Sequence, residues 1–218
     1  MNISNRLLIV VFFILLSGCR NNKNTDVNPV VIHGVKDSTL LEKGVSLTLS
    51  DYSKYSEFLN RIDQIVCADS IPTIDKSRNN IRHKFYLTTP CWDKVGDILI
   101  KQRNVIIIHN DSLQKRYTDP WENNLFHLRE LEDVIEHDIS NNGFDPNWSE
   151  NAENMIINIS VSENNLHKLN AVLEAFVKLD IENDTINNLR IWITDYVPYF
   201  KPPSPPAPPP PPPPKQIR

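Results

Sequence analysis

The chain has 218 residues, with 23 Lys and Arg against 27 Asp and Glu for a net charge of −4, and it carries 17 prolines but only 5 glycines. That balance supplies no basic patch of the kind nucleic acid requires. The glycines are too scattered for a phosphate-cradling loop, which needs them a few residues apart, so nucleotide-dependent chemistry is disfavoured as well.

The first element, RLLIVVFFILLSGC from Arg6 to Cys19, sets one positive charge ahead of an apolar run. Leu7 to Leu16 supplies about half of the roughly 20 apolar residues a membrane-spanning helix needs. A charged start, a short apolar centre and a small-residue end are the three parts of a secretory signal peptide. Leu16-Ser17-Gly18-Cys19 resembles the lipobox of bacterial lipoproteins. The resemblance implies cleavage after residue 18, a diacylglycerol thioether on Cys19 and further palmitate-type acylation, and two or more chains give stable membrane anchoring. Arg20 in place of Asp after that cysteine resembles lipoproteins sorted to the outer membrane, facing the periplasm. Loss of residues 1–18 removes Arg6 and no acid, leaving 22 basic and 27 acidic residues and a net charge of −5.

Residues 19–44 begin polar and Asn-rich, with too little apolar surface to fold alone. They are expected to form a flexible tether reaching about 25 Å. The α/β domain is expected over 45–200.

An internal repeat is expected over 45–90 and 157–196. VSLTLS (45–50) and INISVS (157–162) alternate as half-buried strands do. Behind them, Tyr52, Tyr55, Phe58, Leu59, Ile62 and Ile65 repeat the spacing of Leu166, Leu169, Val172, Leu173, Phe176 and Leu179, one apolar helix face written twice. Ser50 or Asp51, and Ser162, stand where N-caps would be. Each unit then closes on a strand, NNIRHKFYLTT from Asn79 and NNLRIWITD from Asn187. These are either duplicated units or two independent βαβ crossovers. Both readings give an α/β or α+β fold, with helices packed on a sheet.

Between the units, Asp93 to Gln102 reads as a short helix and NVIIIHN (104–110) as a buried strand. A longer helix is expected from Asp119 as N-cap and Pro120 at the first helical position, with Glu122 behind them. Its stripe is Leu125, Leu128, Leu131, Ile135 and Ile139, and Asn142-Gly143 ends it. From Asn104 onward the pattern of strand, long helix, strand, helix, strand resembles the periplasmic domain of ExbD/TolR-type biopolymer-transport proteins. That implies a peptidoglycan- or partner-binding module, here without the persistent membrane helix and its aspartate.

Cys67 and Cys91 could pair in an oxidising envelope. The crossover reading, however, places Cys91 past the far end of the closing strand, some 20 Å from Cys67 at about 3.3 Å per residue, where a disulfide needs α-carbons within about 7 Å. KPPSPPAPPPPPPPK (201–215), within the tail 201–218, must be polyproline II, a rod of roughly 45 Å at about 3.1 Å per residue. Pro202 to Pro214 is a candidate docking peptide for an aromatic groove on a partner, or a passive tail.

Chemistry-bearing clusters are few. His127, Glu130 and His137 could offer metal ligands but read as a solvated helix face. Asp138 to Gly143 imitates the start of a calcium loop, yet Ser149 stands where the loop needs Glu. No Gly-x-Ser-x-Gly elbow and no Cys-x-x-Cys pair is present, and Trp92, Trp121, Trp148 and Trp192 read as core or sheet aromatics. Cys19, the lipid attachment point, is thus the one site residue; no catalytic, metal or cofactor residue is expected. The expected function is a binding or assembly module on an acyl anchor, with a small-ligand-binding lipoprotein as the alternative and a hydrolase third.

Overall fold

The computed structural model describes residues 29–35, 37–96, 99–116, 123–179 and 189–195. Cys19, Asp119, Pro120, Trp121, Asn187 and the proline-rich tail lie outside them. The elements in order are β1 (Val30–His33), α1 (Ser38–Leu41), β2 (Gly44–Leu47), α2 (Tyr55–Cys67), β3 (Ile71–Arg78), β4 (Ile81–Tyr86), α3 (Trp92–Val95), β5 (Val105–His109), β6 (Ser112–Arg116), β7 (Asn123–His127), α4 (Leu131–Asn141), β8 (Ile156–Ser160), α5 (Leu166–Lys178) and β9 (Arg190–Ile193). Two sheets result, ordered β1-β4-β3-β2 and β7-β6-β5-β8-β9. The protein is a mixed α/β fold. No described helix is long and apolar enough to cross a membrane.

Both strand-helix-strand units are present. β2 runs parallel to β3 across α2, and β8 parallel to β9 across α5. The repeated apolar positions face inward: Tyr55, Phe58, Ile62 and Ile65 on α2, and Leu166, Leu169, Val172, Leu173 and Phe176 on α5, are buried. The helix starts differ from expectation, with Lys54 and Asn165 at the N-cap positions rather than Ser50, Asp51 or Ser162. Glu57 Oε2 accepts from the backbone N–H of Ser53 and Lys54 at 3.1 and 3.3 Å, satisfying that turn from within the helix.

The first unit closes on a different strand from the one expected. After α2 the chain enters β3, and Asn79 and Asn80, with φ of 52° and 62°, reverse it into β4, antiparallel to β3. Two successive left-handed residues make the hairpin turn that matches strand twist, and Asn tolerates that conformation. The return brings Cys91 back beside the end of α2, where it forms a disulfide with Cys67 across a Cα–Cα distance of 4.9 Å. The expected 20 Å separation is thereby corrected. A single crossover strand would have carried Cys91 away; the hairpin turns it round.

Two further expectations change. The tether expected over 19–44 contains structure, because Val30–His33 pairs parallel with β4 and buries His33 and Val35. The helix expected from Asp119 begins only at Leu131, since Asn123–His127 is β7 and leaves Leu125 exposed. Its later stripe, Leu131 and Ile135, is buried, and it ends as expected with Asn142 at φ 44° and Gly143 at φ 82°.

The halves share one apolar core. The second unit's helix packs on the first unit's sheet: Phe176 meets Phe85 edge-on at 6.4 Å, and Arg78 Nη1 donates to the Val177 carbonyl at 3.3 Å. The turn before α5 in turn caps α2, because Glu163 accepts from Tyr55 N through its carbonyl and from Ser56 N through Oε2, both at 3.0 Å. Beyond β4, Leu87 bridges to Ile191 on β9, and Thr88 N donates to the Ile191 carbonyl at 2.7 Å. Gly34, at φ +95°, passes so close to this junction that a Cβ there would lie 2.3 Å from the Tyr86 carbonyl oxygen.

Candidate functional site

An open groove of about 490 Å³ lies between α2 and β9. Leu59, Ile62 and Val66 form its α2 wall, and Trp92, Trp192 and Ile100 the opposite one. The indoles meet edge-to-face, centroids 5.8 Å apart at 87°; Trp192 is 8% exposed and Trp92 47%. Apolar contact area thus faces solvent beside a buried anchor.

Each wall is fixed by a feature of the fold. Trp92 is the first residue of α3 and follows Cys91, so the disulfide ties it to the end of α2. Trp192 packs with Val105 and Ile156 in a second small apolar cluster, with Ile100 against it. Tyr55, buried at the start of α2, donates its hydroxyl to the Thr194 carbonyl at 2.7 Å and so locks α2 to the end of β9. Burial, with the Asp195 charge adding to it, pushes the Tyr55 phenol well above its usual range.

Polar groups border the groove as well. Thr194 Oγ1 donates to Asn158 Oδ1 at 2.7 Å, leaving the Asn158 amide as a donor. Thr89 Oγ1 accepts from Ile193 N at 2.8 Å. Asp63 and Asp195 contribute negative charge to the lining, and Asp93 stands next to Asp63.

Asp63, Cys67 and Asp93 are, among the described residues, the group of three whose ligand atoms lie within 4.8 Å of one another. The sulfur is already bonded to Cys91, which leaves two exposed carboxylates. A metal needs more donors than that.

The candidates raised from sequence scatter. His127 accepts from Arg129 N at 3.2 Å and Glu130 Oε2 accepts from His127 N at 2.7 Å, a reciprocal cap rather than a ligand pair. His137 tilts against Trp148, 4.2 Å between ring centres. Asp138 is fully buried in an ion pair with Lys115, so it cannot open a calcium loop. Trp92 and Trp192 form the groove, whereas Trp148 packs against the core. Cys19 and Pro202 to Pro214 lie outside the described residues.

A second unusual cluster is structural. His33, 5% exposed, stacks on Phe85 at 4.4 Å and places Nε2 3.1 Å from His83 Nδ1, while its own Nδ1 has no partner. Burial, then repulsion from His83, lowers the His33 pKa to about 4. The unfolded chain therefore binds a proton below about pH 6.5 that the native state refuses until about pH 4. The His33 contribution to stability is full above pH 6.5 and falls by about 3 kcal/mol as pH drops through that window. Urea titrations at pH 7 and pH 4.5 should show this loss, and His33→Phe should shrink it; a loss of the same size in the parent and the variant would refute the burial effect.

No family model matches the chain, and no curated protein or solved structure does either.

Proposed function

We propose that the chain is a lipid-anchored envelope protein, held through Cys19 at the outer membrane facing the periplasm, and that it serves as a binding or assembly module. The observation that carries the binding half is the open groove with one buried and one exposed tryptophan. An open trough with an aromatic wall suits an extended segment of a partner, whose backbone polar groups find donors at Asn158 and the indoles. The second reading, capture of a small amphipathic ligand, draws on the volume, which falls within the roughly 300–1,000 Å³ of small-molecule sites. Support for an envelope location comes from the lipobox and from the Cys67–Cys91 disulfide, since such bonds persist in oxidising compartments.

Mass spectrometry of the membrane-extracted protein should find Cys19 as a diacylated or triacylated N-terminus, and Cys19→Ser should release the chain to the soluble fraction. An unmodified Cys19 or an intact start overturns the anchor. For the groove, a photo-crosslinking residue replacing Leu59 in intact cells should give a discrete protein adduct that Trp92→Ala abolishes. An adduct pattern unaffected by Trp92→Ala counts against a groove-bound partner.

A further inference from the structure

We propose that the groove is occupied, when no partner is bound, by the chain's own proline-rich tail, Pro202 to Pro214. This rests on the reading of the groove as a site for an extended segment and names the first such segment it meets.

Three observations converge on that occupant. The first is connectivity. Asp195 lines the groove and only six residues separate it from Pro202. At up to about 3.5 Å per residue those residues span roughly 24 Å, enough to reverse direction and lay the following segment back over β9. The second is chemistry. A proline run has no backbone donors, and all its carbonyls need partners. Its ring faces pack on aromatics, and its low conformational entropy makes docking inexpensive. The exposed Trp92 against the buried Trp192, with indole and Asn158 amide donors beside them, offers both kinds of contact. One or two turns of the rod, three residues and about 9 Å each, fit such a trough. The third is charge. Lys201 immediately precedes the prolines, while Asp63 and Asp195 line the groove and Asp93 stands beside Asp63. Of the neighbouring basic groups, Lys94 is directed to Asp69 at 3.1 Å. Lys201, next to the first docked prolines, would complete the pairing.

The consequence is competition. A tail held by a short linker has an effective concentration on the order of 1 mM. A tail binding in trans at about 0.1 mM would then fill its own groove about nine parts in ten and weaken any competing ligand about tenfold. A partner must displace it, so the tail sets a threshold for engagement.

The test uses the mature chain made soluble by Cys19→Ser, in two forms: the natural tail, and a form in which residues 202–214 are replaced by Gly and Ser at equal length. A synthetic peptide of residues 201–215, which contains no tryptophan, is titrated into each while indole emission is followed. The Gly-Ser form should bind saturably. The natural form should bind about tenfold more weakly, and Trp92→Ala or Trp92→Phe in the Gly-Ser form should weaken binding at least tenfold, with circular dichroism unchanged. Identical titrations of the two forms, or no binding by either, overturn the tail as occupant. A concentration-dependent dimer formed by the natural form alone also overturns occupancy in cis, placing the tail in a neighbouring copy. If the tail fails while the Trp92-dependent adduct persists in cells, the occupant is wrong and the groove reading stands; if both fail, the groove reading falls too.

Discussion

Asp138→Ala is expected to cost about 3–5 kcal/mol of folding stability, the range for removing one member of a buried ion pair. Lys115 on β6 and Asp138 on α4 are both 0% exposed. The ammonium donates to Asp138 Oδ2 and, at 3.3 Å, to Ser149 Oγ, while Asp138 Oδ1 accepts from Ser149 N at 2.6 Å. Trp148 lies over the ammonium at 5.7 Å. Burial depresses the Lys115 pKa, and the Asp138 charge opposes that shift. Without the carboxylate, the lysine must either stay charged with a hydroxyl and a ring for company or surrender its proton. Domain stabilities run to about 5–15 kcal/mol, so most of the margin is at risk. Urea unfolding at pH 7 measures the loss. The double variant Lys115→Met with Asp138→Leu should recover most of it, because removing both charges also removes the desolvation cost. A single variant within about 1 kcal/mol of the parent would show that the pair is not isolated from water.

Loss of the Cys67–Cys91 bond is the second large effect. Its sequence separation is 24 residues, for which loop-closure entropy gives about 3.5 kcal/mol. For a chain of this size, that corresponds to a drop in Tm of about 7–14 °C. The paired variant Cys67→Ser with Cys91→Ser, or the parent in reductant, should show it in thermal unfolding. Binding should suffer as well, since the bond secures Trp92 to α2. Peptide affinity in the Gly-Ser form should therefore fall with reduction even at temperatures where the fold is intact. Unchanged melting on reduction would mean that the hairpin alone holds Cys91 in place.

Where sequence reading succeeded and where it failed has one physical root. α2 and α5 were legible because each lays down an apolar stripe over several turns, β5 because a continuous Val-Ile run marks a buried strand, and β8 because its apolar and polar residues alternate. β3 was missed because Pro72 opens it. Proline lacks the donor a ladder uses, yet its carbonyl still accepts from Leu87 N at 2.9 Å. With β3 unread, Asn79-Asn80 looked like a strand entry rather than a reversal, and the cysteine geometry failed with it. β7 was mistaken for helix because Leu125, Leu128 and Leu131 fit a three-residue spacing that a strand followed by a tight turn also satisfies. The groove was not legible. Trp92 and Trp192 stand a hundred residues apart, and only the hairpin and its disulfide bring them into contact. A correct reading of the Asn-Asn turn would have been the one route to it.

The junction between the sheets gives the molecule a mechanical line. The chain enters at Pro29 and runs into β1, which is hydrogen-bonded along β4; β4 continues through Thr88 to β9, and β9 ends at the groove. Tension applied between Pro29 and the end of β9 would therefore travel through the β1–β4 ladder and the Thr88–Ile191 junction. α2 and α5 lie outside that path, so a pull strong enough to slide β1 out of register would leave the walls of the groove assembled.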